Sequence, residues 1–197
     1  MSFIRNTLVM NTLAFLSLLT ATPSSVVVAS DYQLDDQHTS IVFAANHFGI
    51  SDTYGMFGRY AGKFSVDMAN PQASTFQFVI DAASLDTKSA KRDEHLHGPD
   101  FFDVKQFPRI TFVSTSVAPG KDAKSLKVTG ELMLHGVTKE IVISLTNTGA
   151  GKDPYGNERI GFAGRFTVKR SEFGMSTMVP QVGDDVSILL SIEGIKQ

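Results

Sequence analysis

The sequence predicts an all-β fold of eight sequential antiparallel strands, with one short helix between the third and the fourth. Three observations lead to it. Beyond residue 40, apolar residues recur at every second position through most of the chain, the signature of strands with one dry and one wet face. The links between these runs are mostly short and carry turn residues, as at Asn70-Pro71, Pro119-Gly120, His135-Gly136, Asp153-Pro154 and Gly183-Asp184. Short links favour antiparallel neighbours, because a parallel pair needs a crossover of roughly a dozen residues or more. Finally, only one connection is long, from Ala83 to Pro108.

Ile41 to Phe48 opens the series. From Tyr54 to Val66 the even positions Tyr54, Met56, Gly58, Tyr60, Gly62, Phe64 and Val66 form one face, set against Arg59, Lys63, Ser65 and Asp67, so a single continuous strand is expected. Phe76, Phe78 and Ile80 mark the third strand, and Ile110 with Phe112 the fourth. Leu126, Val128, Gly130, Leu132 and Leu134 give the fifth; Ile141, Ile143 and Leu145 the sixth. Ile160, Phe162, Gly164, Phe166 and Val168 form the seventh face, and Val186, Ile188, Leu190 and Ile192 the last. Within the long connection, Ser89 is placed to cap a helix over Ala90 to His97, and Gly98-Pro99 to stop it.

Strands of this kind either close into a barrel or stack as a sandwich. Gly58, Gly62, Gly130 and Gly164 fall on the apolar faces. Missing volume there marks either a cavity or points where a closed sheet bends. The 13 phenylalanines beyond residue 30 would suit the wall of an apolar site.

Residues 1–30 read as a secretory leader: Arg5 is the only charge, Leu8 to Leu19 is mostly apolar, and Val28-Ala29-Ser30 ends in small residues. The apolar run is too short to span a bilayer. Cleavage is favoured after Ala29 or Ser30, with Ala21 as an alternative, which leaves residues 31–197 as one domain exported to the periplasm. The absence of cysteine excludes disulfides, thiolate metal sites and cysteine nucleophiles. With 18 Lys and Arg scattered among 20 Asp and Glu, the chain has no basic footprint for nucleic acid.

Catalytic signatures are weak. Neither a Gly-x-Ser-x-Gly elbow nor a phosphate-cradling Gly-x-x-x-x-Gly-Lys occurs. His47, His95 and His97 raise the alternative of a periplasmic metalloprotein or enzyme, but on a helix His95 and His97 diverge, so no metal and no cofactor are expected. Arg92, Asp93 and His95 read as a structural ion-pair network. Arg170, at the end of the seventh strand, either meets a ligand head group or pairs with Asp184 or Asp185, and the structural role is preferred. A ligand-free interaction barrel is a further alternative.

An ordered set of segments resembles the YceI-like family. It comprises Asp35 to Ser40, Asn46-His47-Phe48 with Gly55-Met56-Phe57, Ser84 to Thr87, Arg92 to Leu96, Asp100 to Asp103, Phe107-Pro108 with Phe112, Gly130-Glu131-Leu132, Gly136 to Lys139, Arg170 with Phe173-Gly174, and Val182-Gly183-Asp184 with Val186. The resemblance runs from about residue 31 to the C-terminus. It implies an exported, lipocalin-like eight-stranded antiparallel barrel that binds polyisoprenoids such as isoprenoid quinones or polyprenyl phosphates, or other long amphiphiles, and that is not an enzyme. It further implies a cytochrome b561-type membrane protein as a partner for some members, and homodimers.

On that implication Phe43, His47, Tyr60, Phe64, Phe76 and Phe78 would line the ligand site from the first three strands. Phe112, Leu132, Phe162, Phe166 and Ile188 would line it from the later strands. Leu96, Phe101 and Phe102 would cover one end from the segment Ala83 to Pro108, with Arg92, Asp93 and His95 securing them.

Overall fold

The computed structural model describes residues 29–197. All but the last two residues of the expected leader lie outside the described residues. Eleven strand segments form one antiparallel sheet, and they assemble into the eight staves of a closed barrel.

Three staves are each built from two segments: β1 (Ser30–Leu34) with β2 (Ser40–His47), β3 (Ser51–Phe57) with β4 (Tyr60–Val66), and β5 (Thr75–Asp81) with β6 (Leu85–Asp86). The other five are β7 (Arg109–Pro119), β8 (Ser125–Leu134), β9 (Val137–Lys152), β10 (Glu158–Lys169) and β11 (Val182–Lys196). The ring runs β1-β4-β5-β7-β8-β9-β10-β11 and closes where Tyr32 pairs with Lys196. Towards the other end, the Val182–Ser191 part of β11 pairs with β2, β2 with β3, and β3 with β6. The long β11 therefore welds both halves of the first stave to the barrel.

The breaks in the three double staves lie side by side, as a crease across the wall. The Gly58 N–H donates to the Ser84 carbonyl at 3.0 Å, the Asp81 N–H to the Arg59 carbonyl at 3.0 Å, and the Tyr60 hydroxyl to the Thr39 carbonyl. Backbone groups freed by the interrupted ladder are thus re-paired across the crease, as buried or half-buried peptide groups require.

The crease overturns the expectation of one unbroken alternation from Tyr54 to Val66. On β4 the even residues Phe64 and Val66 are buried as expected, but on β3 it is Phe57 that points inward, while Tyr54 is 58% and Met56 38% exposed. Two unpaired residues, Gly58 and Arg59, shift the phase by one, and a one-residue slip sends every side chain to the opposite face.

The glycines do not mark vacant space. A Cβ at Gly62 would collide with the Phe78 ring, and one at Gly130 would lie 2.5 Å from Phe112 Cζ. Gly62 and Gly130 are each the seat of a cross-strand phenylalanine, Gly164 is covered by Leu145 and Ile143, and Gly58 lies at the crease beside the Ser84 carbonyl.

The long connection holds one helix, α1 (Ala90–His97), ending at Gly98 as expected. Ser89 caps through its carbonyl, which accepts the Asp93 N–H at 2.9 Å, and its hydroxyl makes no capping bond.

Candidate functional site

The inward faces of the staves meet fully at one end of the barrel only. There Phe64 and Phe76 stack with centroids 5.5 Å apart, and Phe162 stands edge-on to both at 6.1 Å. Phe76 is 0% and Phe162 1% exposed, so this aromatic group seals the barrel floor.

Above the floor the facing side chains do not fill the lumen. A cavity of about 180 Å³ runs towards α1, walled by residues from every stave. Phe78, Ile80, Ile141, Phe166, Ile188 and Leu190 point inward from the staves yet are only partly buried. Their remaining accessible surface faces this lumen.

Of the fourteen residues expected to contact a ligand, eleven border the cavity: Phe43, Tyr60, Phe76, Phe78, Leu96, Phe101, Phe102, Phe112, Leu132, Phe166 and Ile188. Phe64 and Phe162 do not, because they belong to the packed floor. His47 does not either: it is exposed at the end of β2, its ring edge-on to Phe48 at 4.5 Å. Sequence reasoning missed Ile41, Ile80, Ile141, Ile143, Leu190 and Met175, which also line the cavity. Most of these were already on the apolar faces, and the preference for aromatic rings passed over them.

The segment after α1 forms the cover. Leu96, Phe101 and Phe102 reach the cavity, and Phe102 packs edge-on against Phe57 at 5.9 Å. The cover is tied down at Thr87. Arg92 Nε donates to the Thr87 hydroxyl at 2.7 Å and Arg92 Nη2 to its carbonyl at 2.8 Å, while the Thr87 N–H and hydroxyl donate to Asp93 Oδ1 at 2.9 and 2.6 Å. Arg92 and Asp93 therefore act through a shared threonine rather than as the ion pair expected of them. His95 Nε2 lies 3.2 Å from Asp100 Oδ2 and its ring stands against Phe101.

Among the described residues Arg170 is the one charged residue bordering the cavity, and it is 5% exposed. It pairs with neither Asp184 nor Asp185. Its Nε donates to the Gly183 carbonyl at 3.0 Å, Nη1 to those of Met175 and Thr177 at 2.6 and 2.8 Å, and Nη2 to that of Val182 at 2.8 Å. The guanidinium thus stitches the β10–β11 loop into one unit, and it lies over the Phe101 ring of the cover. Burial pulls its pKa below the usual arginine value, an effect that the Asp184 charge offsets in part. Asp184 instead accepts from the Ser171 N–H and hydroxyl, and Asp185 pairs with Lys169.

His47, His95 and His97 are not brought together. Among the described residues the one group of potential metal ligands is Asp35, His38 and Glu193, and a cation already serves it. Arg159 Nη1 contacts both Asp35 and Glu193, while Arg159 Nε binds Asp153 at 2.8 Å.

Known proteins share this sequence pattern and this fold. The family model described as a YceI-like domain matches residues 32–194. The chain belongs to the YceI-like family. The UPF0312 protein of Ectopseudomonas mendocina is 41% identical over 189 residues, covering 95% of this chain and 98% of that one. The crystal structure of the Campylobacter jejuni YceI protein superposes with a TM-score of 0.69 at 32% identity, covering 77% of this chain and 90% of that one. A polyisoprenoid binding domain from Saccharophagus degradans shares the fold of this YceI-like chain, with a TM-score of 0.65 at 16% identity over 84% of this chain and 98% of that domain.

Proposed function

We propose that this YceI-like protein binds a long-chain amphiphile, a polyisoprenoid such as an isoprenoid quinone or a polyprenyl phosphate, with the chain lying in the barrel lumen. The observation that carries this reading is the cavity: a lumen walled by carbon, sealed by Phe64, Phe76 and Phe162 and covered by Leu96, Phe101 and Phe102. Water in such a space has no hydrogen-bond partners, whereas a hydrocarbon chain gains roughly 0.8 kcal/mol for each CH₂ removed from water. The fold shared with a domain that binds polyisoprenoids supports the same class of ligand.

In this reading the protein works by sequestration, not catalysis, and does so in the periplasm after removal of a leader. No nucleophile paired with a base faces the lumen among the described residues. Organic extraction of the purified protein, followed by mass spectrometry, tests the proposal. An isoprenoid lipid recovered in near-stoichiometric amount is the expected result. Protein that yields no lipid and takes up no added polyprenol would overturn it.

A further inference from the structure

Among the described residues three polar ones border the cavity, Thr39, Tyr60 and Arg170, and each has its polar atoms engaged with backbone. The Thr39 hydroxyl accepts the Glu193 N–H at 3.1 Å. The Tyr60 hydroxyl donates to the Thr39 carbonyl. Four of the Arg170 N–H groups are taken by four carbonyls of the β10–β11 loop, and the guanidinium carbon lies over the Phe101 ring, 5.8 Å from its centroid.

The lumen therefore offers a guest carbon and no hydrogen-bonding group. A polar head drawn inside would give up its water and find nothing in return, a loss that grows steeply if the head is charged. A hydrocarbon tail suffers no such loss. We infer that the protein selects its ligands by the tail alone and holds the head outside the lumen, so that neutral, anionic and cationic heads on one tail bind alike. This inference rests on the lipid-binding reading above and narrows it: the ligand class is defined by a long hydrocarbon chain, and the head group is free.

One Nη2 hydrogen of Arg170 has no carbonyl partner, so an anionic head is the probe that would expose a head-group site if one existed. The experiment is a competition on the purified full chain against a dansyl-tagged farnesyl probe, using geranylgeraniol, geranylgeranyl phosphate and geranylgeranylamine. Their affinities should agree within about threefold, while the ten-carbon analogue of each should bind at least about tenfold more weakly, since tail burial supplies the binding energy. Preference for one head by about tenfold or more at equal tail length would overturn the inference and leave lipid binding standing. Failure of all three to displace the probe at any concentration would overturn both.

Discussion

Phe162 on β10 stands edge-on to Phe76 on β5, with centroids 6.1 Å apart and planes at 88°. These strands are not neighbours in the ring, so the contact crosses the barrel interior and acts as its floor. Edge-to-face rings at this spacing attract beyond their burial. Phe162→Ala should lower stability by about 3–5 kcal/mol and deepen the lumen. Denaturant midpoints and the longest polyprenol retained are the two readouts. A variant that is destabilised but keeps its chain-length preference would place the end of the ligand elsewhere.

Arg170 organises the other end. Its fork meets carbonyls of Met175, Thr177, Val182 and Gly183, a geometry that lysine cannot reproduce from a single ammonium. Arg170→Lys and Arg170→Met should therefore destabilise to a similar degree, on the order of 3 kcal/mol. Urea midpoints, with hydrogen exchange of the amides between residues 174 and 183, check this. Full rescue by lysine would mean that charge, not the fork, matters here.

Much of this was legible in the residues. Period-two alternation located all eight staves, and Ser89 with Gly98-Pro99 bounded α1. What escaped was the crease. Gly58-Arg59 interrupts the ladder without interrupting the hydrophobic pattern, because Tyr54 and Met56 continue the even series while lying on the outer face. Phase is a property of pairing across strands, and no local signal carries it. The same holds for the site: Phe64 and Phe162 look like Phe76 and Phe78 in sequence, and only the crossing of the staves assigns two to the floor and one to the wall, with Phe76 serving both.

Asp35 links β1 to the rest of the barrel. Burial alone would raise its pKa, but hydrogen bonds from Arg159, His38 and the Gln37 N–H outweigh it and bring the value from 3.8 to about 2. Because the folded-state value is depressed, the stabilisation is present above the unfolded value near 3.8 and is lost as pH falls from about 4 towards 2. At neutral pH it amounts to about 2 kcal/mol. Asp35→Asn should cost that much at pH 7 and almost nothing at pH 2, as read from melting or urea curves at both values. An equal penalty at both would assign the effect to packing rather than charge.

The cover governs access. Replacing both Phe101 and Phe102 by alanine should speed release of a bound long-chain ligand more than the loss of stability explains, because Phe102 holds the cover against Phe57 and both rings border the lumen. Arg92→Ala, which frees Thr87, should loosen the base of α1, and its effect on release should follow its effect on stability. Stopped-flow release of a fluorescent polyene, set beside melting temperatures, separates the two. Unchanged release from the double variant would place these rings in the core and not at a gate.

Ligand binding as proposed places the hydrocarbon chain within the barrel. The most direct measurement is isotope-filtered NOE spectroscopy on labelled protein bound to an unlabelled C20 polyprenol. Contacts are expected from the prenyl methyl groups to Phe78, Ile141, Phe166 and Ile188, and none to the exposed side chains of Tyr54 and Tyr155. Contacts confined to outward-facing residues, with the lumen resonances unmoved, would contradict it.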